Sequence, residues 1–368
     1  MGRAFALALV VLTAVILTLL LLTAPPAITK LLPACRMPDR LQQLTIEDAA
    51  GAIAKQTDER RTAIVFIAYH RGGSTFTGDM LNVHPDVFYL YEPLRQIWQA
   101  NKHLPGVDDD VLETLALQAL PRFLLCQFSD LPIDWFVDGV AEKKGIFARN
   151  SALVRGLGCE KTKTSVEQWQ SCPLGKLTVG SLERECLSRV VATKLIRPTI
   201  GGAILPLLDD SRLHVKVVHL VRDPRGLLAS VHKLPSTHPD HVPARMIRAE
   251  AKRICARMRA NMFSAEGIRS SDYLLLRYED AAIHTASSME ELHSFAGLAS
   301  SRQLLESFVA AHTGPAIGSN YHWEAVRENS TATALSWTMT LGRRSVIQIE
   351  NVCSDVLQAL GYKRMYSR

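Results

Sequence analysis

Two short segments constrain this chain more than anything else in it. They are His70-Arg71-Gly72-Gly73-Ser74-Thr75-Phe76 and Arg222-Asp223-Pro224-Arg225-Gly226-Leu227-Leu228-Ala229-Ser230. Each follows an apolar, β-branched run, over 62–68 and 214–221, and each opens a stretch that reads as a helix. A strand, a tight turn bearing Arg and Gly, and a helix N-terminus make an anion site. Backbone N–H groups and the helix dipole converge there on negative charge, and Arg adds a fork of donors. Two such turns imply a ligand with two separated phosphate-like groups. The Walker A string G-x-x-x-x-G-K-[ST] is absent, which disfavours an ordinary nucleoside triphosphatase.

Further strands are expected at 86–91, 190–196 and 272–278. Helices are expected over 74–83, 111–128, 199–209, 243–266, 287–297, 301–311 and 345–360, with a less regular insertion over 129–186. Buried-type strands alternating with helices predict an α/β fold, a three-layer α/β/α arrangement around a central parallel sheet. Asp108-Asp109-Asp110 falls between helical segments and is expected as a solvated loop.

The N-terminus is of another kind. Residues 4–24 are 21 positions without a charge, enough to cross a hydrocarbon core of about 30 Å. That exceeds the apolar core of about 7–15 residues typical of a cleaved signal peptide. The expectation is a transmembrane signal anchor over 4–24, behind a cytosolic tail at 1–3. A stem at 25–60 and a lumenal domain at 61–368 follow, in type II orientation. The sequon Asn329-Ser330-Thr331 is usable only in the lumen. Seven cysteines show neither CxxC nor zinc spacing. Cys35, in the stem, is left free or bridging two chains of a homodimer, and the other six can pair in 15 ways. The net charge of +6 suits an acidic partner. Nucleic acid is not expected, because no recognised binding module occurs.

In the first turn Arg71 is positioned to hold an anion, Gly72 and Gly73 let the backbone approach it, and Ser74 and Thr75 donate from the helix start. The plain alternative is a glycine turn with Ser74 as helix cap, and Phe76 reads as core. In the second turn Asp223 and Pro224 are helix-start residues. Arg222 ends the strand, and Ser230, nearly two helical turns in, returns to the face of the helix start. Arg225 reads as a salt-bridge residue. Glu92 ends the second strand and Pro93 holds it out of helical geometry. That places it at the carboxyl edge of the sheet, where open α/β folds bind ligands. Glu92 is therefore the candidate base, against a structural pairing with Arg95, with His84 or Lys194 as candidate assistants. Glu279 and Asp280 read as braces. The basic stretch Arg245, Arg248, Lys252, Arg253, Arg257 and Arg259 is either a stripe for an anionic polysaccharide or a solvated helix face.

These residues resemble the 5′- and 3′-phosphate motifs of sulfotransferases that use 3′-phosphoadenosine-5′-phosphosulfate (PAPS). In particular the chain is similar to the Golgi carbohydrate 6-O-sulfotransferases of the keratan, chondroitin and N-acetylglucosamine type. The resemblance runs over 61–362 and includes the blocks 84–94, 125–129, 192–197, 276–280 and 360–362 together with Asn329-Ser330, Trp337 and Cys353. It implies a P-loop-like sulfotransferase fold, PAPS as sulfate donor and no metal. It places His70, Arg71, Gly72, Gly73, Ser74, Thr75 and Phe76 at the 5′-phosphosulfate and Arg222 and Ser230 at the 3′-phosphate. Arg71 and Glu92, the latter read above as the base, are the expected catalytic pair. The implied acceptor is a carbohydrate hydroxyl, the 6-O position of galactose or an N-acetylhexosamine, at the Golgi membrane. His70, Gly72 and Thr338 depart from the family's usual Thr, Ser and Arg, which leaves the acceptor open. A Golgi glycosyltransferase using a sugar nucleotide and an inactive glycan-binding relative are the alternatives.

Overall fold

The structure is a computed structural model and describes residues 60–101, 104–131, 149–156, 178–238, 241–313 and 330–366. The chain divides into Met1–Glu59 and Arg60–Arg368, and every described residue belongs to the second unit. The span expected over 4–24, the stem to residue 59, Cys35, Cys159, Cys172 and Asn329 lie outside the described residues. Among the described residues no helix is long and apolar enough to cross a membrane.

The chain order begins β1 (Arg61–Ile67), α1 (Ser74–Asn82), β2 (Val87–Tyr91), α2 (Arg95–Asn101) and α3 (Asp109–Leu124). Then come α4 (Ser151–Gly156), α5 (Val179–Leu187), β3 (Val190–Leu195), β4 (Leu213–Val221), α6 (Pro224–His232) and α7 (Ile247–Ala265). β5 (Tyr273–Arg277) leads into α8 (Tyr278–Ile283), α9 (Thr285–Ala296) and α10 (Arg302–Thr313). The last described helices are α11 (Ser330–Leu335), α12 (Trp337–Thr340), α13 (Arg343–Val352) and α14 (Ser354–Ala359).

Among the described residues five strands form one parallel sheet in the order β2-β3-β1-β4-β5. Parallel strands are buried on both faces, and β1 shows how the sequence meets that demand. Ala63, Val65 and Ile67 pack in one core cluster with Leu120 and Phe123 of α3. Ile64 and Phe66 belong to a second cluster, with Met80 of α1 and Leu292 of α9. Alternate residues of one apolar run thus face opposite helical layers. Each of the Val, Leu, Ile, Met and Phe side chains among them, once fully buried, contributes about 1.5–3 kcal/mol. A third cluster joins α6 and α7 to the C-terminal helices through Leu228, Met258 and Ile349. Disulfides Cys126–Cys186 and Cys255–Cys353 link α3 to α5 and α7 to the end of α13.

Several local expectations are corrected. Residues 199–209 form a π-helical turn (Ile200–Ile204) followed by a 3-10 turn (Leu205–Asp209) instead of an α-helix. Gly201 and Gly202 favour helix poorly, and Pro206 donates no N–H. Thr199 and Asn261 side chains accept from the freed N–H groups of Gly202 and Ile200. The helix expected over 345–360 breaks at Cys353. The aspartates are no loop: Asp108 caps α3 by accepting from Val111 N–H at 3.0 Å, and Asp109 and Asp110 occupy the first turn. Acidic side chains suit that dipole end.

The register brings all five strand ends to one edge. Ile67 lies level with Leu195 and His219, Tyr91 with Lys194, and Val221 with Arg277. Whatever follows each strand therefore shares one rim.

Candidate functional site

The turn after β1 is held by glycine. Gly73 has φ +85°, and a Cβ there would sit 2.0 Å from the Tyr278 ring. Only a residue without a side chain allows that approach. Gly73 is also the N-cap of α1 and makes no side-chain cap, so Ser74 is the first helical residue and not the cap. The first α-helical bond runs from Thr77 N–H to Gly73 C=O at 3.1 Å. The N–H groups of Ser74, Thr75 and Phe76 are left as the donors that an anion meets at a helix start. A Cβ on Gly72 would press on the Tyr69 carbonyl at 2.8 Å.

The turn after β4 divides its two arginines. Arg225 is structural: it pairs with Asp223 at 2.7 Å and Glu350 at 2.5 Å and stacks over Trp337 at 4.3 Å. Arg222 faces the pocket while only 7% exposed. Its Nη1 donates to the Arg71 carbonyl at 2.7 Å, and its guanidinium lies over the Tyr278 ring at 4.6 Å. Its Nε is buried without an acceptor among the described residues. A buried unpaired donor costs about 1–3 kcal/mol, more when charged, so this atom marks where a ligand oxygen fits. Arg71 Nε donates in turn to Ser230 Oγ at 3.1 Å. The two turns meet.

Glu92 follows β2 with φ +48°. Its Oε1 accepts from Lys194 Nζ at 2.5 Å and its Oε2 from Arg197 Nη1 at 2.8 Å. The pairing with Arg95 does not form; Arg95 reaches only the Glu92 backbone carbonyl, by its own N–H. Burial pushes the Glu92 carboxyl up, but the two cations and their hydrogen bonds outweigh it and hold it at about 2. Burial pulls the Lys194 ammonium down, and Glu92 with Tyr91 more than restores it. The Lys194 ammonium also sits 4.0 Å from the Tyr91 ring centre.

Sequence comparison gives this geometry a context. The chain is 29% identical over 343 residues to carbohydrate sulfotransferase 1 of Homo sapiens, covering 83% of this chain and 80% of the relative. It is 25% identical over 365 residues to carbohydrate sulfotransferase 3 of Tetronarce californica, covering 94% and 81%. The chain is similar to carbohydrate sulfotransferases over most of its length. No family model matches it. Among solved structures, the sulfotransferase domain from the curacin biosynthetic pathway covers 83% of this chain and 99% of its own at 16% identity and TM-score 0.46. A mouse sulfotransferase complexed with PAP covers 86% and 92% at 10% identity and TM-score 0.42.

The sites read from sequence converge on one pocket of about 230 Å³. His70, Arg71, Gly73, Ser74, Thr75, Phe76, Glu92, Arg222 and Ser230 line it, and so does Lys194. Gly72 does not line it and shapes the turn from behind. Phe76 also packs in the core, 5.9 Å from Phe308 between ring centres. His84 is elsewhere: its Nδ1 accepts from Asp86 N–H and its Nε2 donates to the Ala299 carbonyl, each at 3.1 Å, so it assists no transfer. Glu279 braces, accepting from Asp223 N–H and from the Tyr362 hydroxyl.

The basic stretch does not stay together. Arg253 pairs with Glu250 and Arg259 with Asp355, while Arg257 turns inward to the carbonyls of Ile196, Arg197 and Pro198. Sequence reasoning missed Tyr91, Ile196, Gly226, Lys233, Tyr278, Ser330, Thr333 and Ser336 on the pocket wall. Tyr91, Ile196 and Tyr278 end or immediately follow parallel strands, a signal that could have found them. Four cationic side chains (Arg71, Lys194, Arg222, Lys233) face a single carboxylate in this lining, which suits a polyanion. Among the described residues no cluster of three or more His, Cys, Asp or Glu is arranged to hold a metal ion.

Proposed function

We propose that this chain transfers the sulfuryl group of PAPS to a hydroxyl of a carbohydrate. The observation that carries the reading is the joining of two anion turns over one pocket, with Arg222 Nε buried and awaiting an acceptor. The donor set fits PAPS, which has a phosphosulfate at one end of its ribose and a terminal phosphate at the other. The α1 N-terminus with Arg71 is the site for the first group, and Arg222 with Ser230 the site for the second.

When bound, PAPS supplies an activated sulfuryl group on a good leaving phosphate. The protein's task is to position and to neutralise, as in phosphoryl transfer. Arg71 and the N–H groups of Ser74 and Thr75 stabilise charge on the equatorial and leaving oxygens. Lys194, beside Glu92, adds a buried positive charge on the acceptor side. Glu92 receives the proton of the acceptor hydroxyl on Oε2, which keeps a second lone pair beside the bond from Arg197. A carboxylate held at about 2 is a weak base, but the hydroxyl becomes strongly acidic as its oxygen bonds to sulfur. A late transfer to a weak base therefore runs downhill.

We place the acceptor position at the 6-O of galactose or an N-acetylhexosamine. The setting is the Golgi lumen, with 4–24 as a type II anchor, 25–60 as stem and Cys35 available to link two chains. The test is transfer of labelled sulfate from PAPS by the full-length chain across a panel of neutral and sulfated glycans. Transfer to at least one glycan without added metal is expected. Transfer only from a sugar nucleotide would favour the glycosyltransferase alternative, and glycan binding without transfer the inactive one.

A further inference from the structure

We propose that Lys233 is a third ligand for the 3′-phosphate, beside Arg222 and Ser230, an assignment that rests on the reading above. Lys233 follows Ser230 by three residues, which puts both side chains on one face of α6. Both line the pocket, and Arg222 faces them from the end of β4. Lys233 makes no ion pair among the described residues. Burial and then the charge of Arg222 pull its ammonium below the usual lysine range. The Glu279 carboxylate acts on Arg222, but Lys233 has no carboxylate partner among the described residues, and an anion bound between the two cations relieves their repulsion.

The ordinary explanation is that Lys233 caps the C-terminus of α6, where the helix dipole favours a cation. That accounts for the sign of the charge. It leaves unexplained why the charge turns toward a second cation on a pocket wall. A terminal phosphate accounts for both, since it carries close to two negative charges and three outer oxygens. Arg222 offers a planar fork whose Nε has no acceptor. Ser230, whose oxygen accepts from Arg71, keeps its own hydroxyl proton to donate. Lys233 supplies a flexible point charge from the solvent side. A 5′-monophosphate lacks the group that these three residues would share.

The test measures calorimetric dissociation constants of the full-length chain in detergent for adenosine 3′,5′-bisphosphate and for adenosine 5′-monophosphate. Lys233→Gln is expected to weaken the bisphosphate about tenfold and to leave the monophosphate unchanged. Lys233→Arg is expected to keep most of the affinity. The bisphosphate affinity of Lys233→Gln is also expected to fall less steeply with added salt. Lys233 is exposed, so an unchanged melting temperature is expected and certifies the fold. If the unsubstituted chain prefers the bisphosphate and Lys233→Gln does too, to the same degree, the Lys233 assignment is overturned and the function survives. An equal loss for both nucleotides also overturns it. If the unsubstituted chain does not distinguish the nucleotides, both the assignment and the reading beneath it fall.

Discussion

Arg71 donates from Nε to the hydroxyl of Ser230 at 3.1 Å, across 159 positions of chain. Arg71 belongs to the turn after β1 and Ser230 to the helix after β4, on neighbouring strands. The bond makes two anion turns one device. Arg222 closes the loop by donating to the Arg71 carbonyl. The orientation of the guanidinium proposed for the 5′-phosphosulfate is thus set partly by a residue proposed for the 3′-phosphate.

That coupling predicts non-additivity. Arg71→Ala and Ser230→Ala should each weaken binding of adenosine 3′,5′-bisphosphate. The double variant should lose less than the sum, by about 0.5–3 kcal/mol. Strict additivity in a calorimetric double-mutant cycle would mean that the two turns act independently.

Removing Arg222 should erase discrimination. Arg222→Ala is expected to cost about 10–150-fold in bisphosphate affinity, the range of a charge-assisted contact. It should cost 5′-AMP far less, the remainder reflecting the lost brace on the Arg71 carbonyl. A parallel loss for both nucleotides would reduce Arg222 to a structural role.

Glu92→Gln should lower turnover at least about a hundredfold while changing nucleotide affinity little. It also leaves the Lys194 ammonium buried beside a neutral amide. Removing one partner of a buried pair destabilises by about 3–5 kcal/mol, so a drop in denaturation midpoint is expected as well. Glu92→Gln with Lys194→Met should regain stability without regaining activity. Near-normal turnover in the single variant would make Glu92 a counter-ion only.

The pH dependence follows from the same triad. A carboxyl held at about 2, below its ordinary 4.5, stabilises the fold fully above pH 4.5. It loses that contribution as pH falls through about 2. Arg197→Gln removes one of the two cations that depress it. The acid limb of turnover should therefore move to higher pH, and acid unfolding should begin earlier. An acid limb that stays in place would show that Arg197 does not act on Glu92.

Arg257→Met tests the inward turn of the basic stretch. Its guanidinium serves three carbonyls, 2.8–3.0 Å away, at the exit of β3. Losing those bonds should destabilise the chain by about 2–4 kcal/mol. Arg248→Met, on an exposed part of the same helix, should be near neutral. Equal melting of the two variants would return Arg257 to the solvated face.

The periodicity of the sequence made much of this legible. Apolar β-branched runs located β1 and β4, and the Arg and Gly turns located the helix starts. Parallel topology then brought those turns to the same rim. What stayed hidden depended on three-dimensional neighbours. Glu92 was visible as a strand-end carboxylate, but its partners come from β3, so Arg95 looked the nearer cation. Arg257 sat in a run of like charges whose members face different ways around a helix. Ser330 and Thr333 of α11 line the pocket from a stretch whose visible motif, the sequon Asn329-Ser330-Thr331, speaks of glycosylation and not of a ligand. The helix-favouring look of 199–209 failed for a local reason, two glycines and a proline with side chains nearby to satisfy the freed backbone.

Arg71 and Glu92 share one more property, a left-handed backbone, with φ +61° and +48°. That conformation costs a residue with a Cβ about 1–2 kcal/mol. Glycine would relieve that strain at either position, and at each a side-chain bond opposes it. Arg71→Gly keeps the carbonyl that Arg222 uses but loses the bond from Nε to Ser230, worth about 0.5–1.5 kcal/mol. Glu92→Gly strands the Lys194 ammonium in the core. Thermal enrichment of a random library should therefore admit glycine at 71 more readily than at 92.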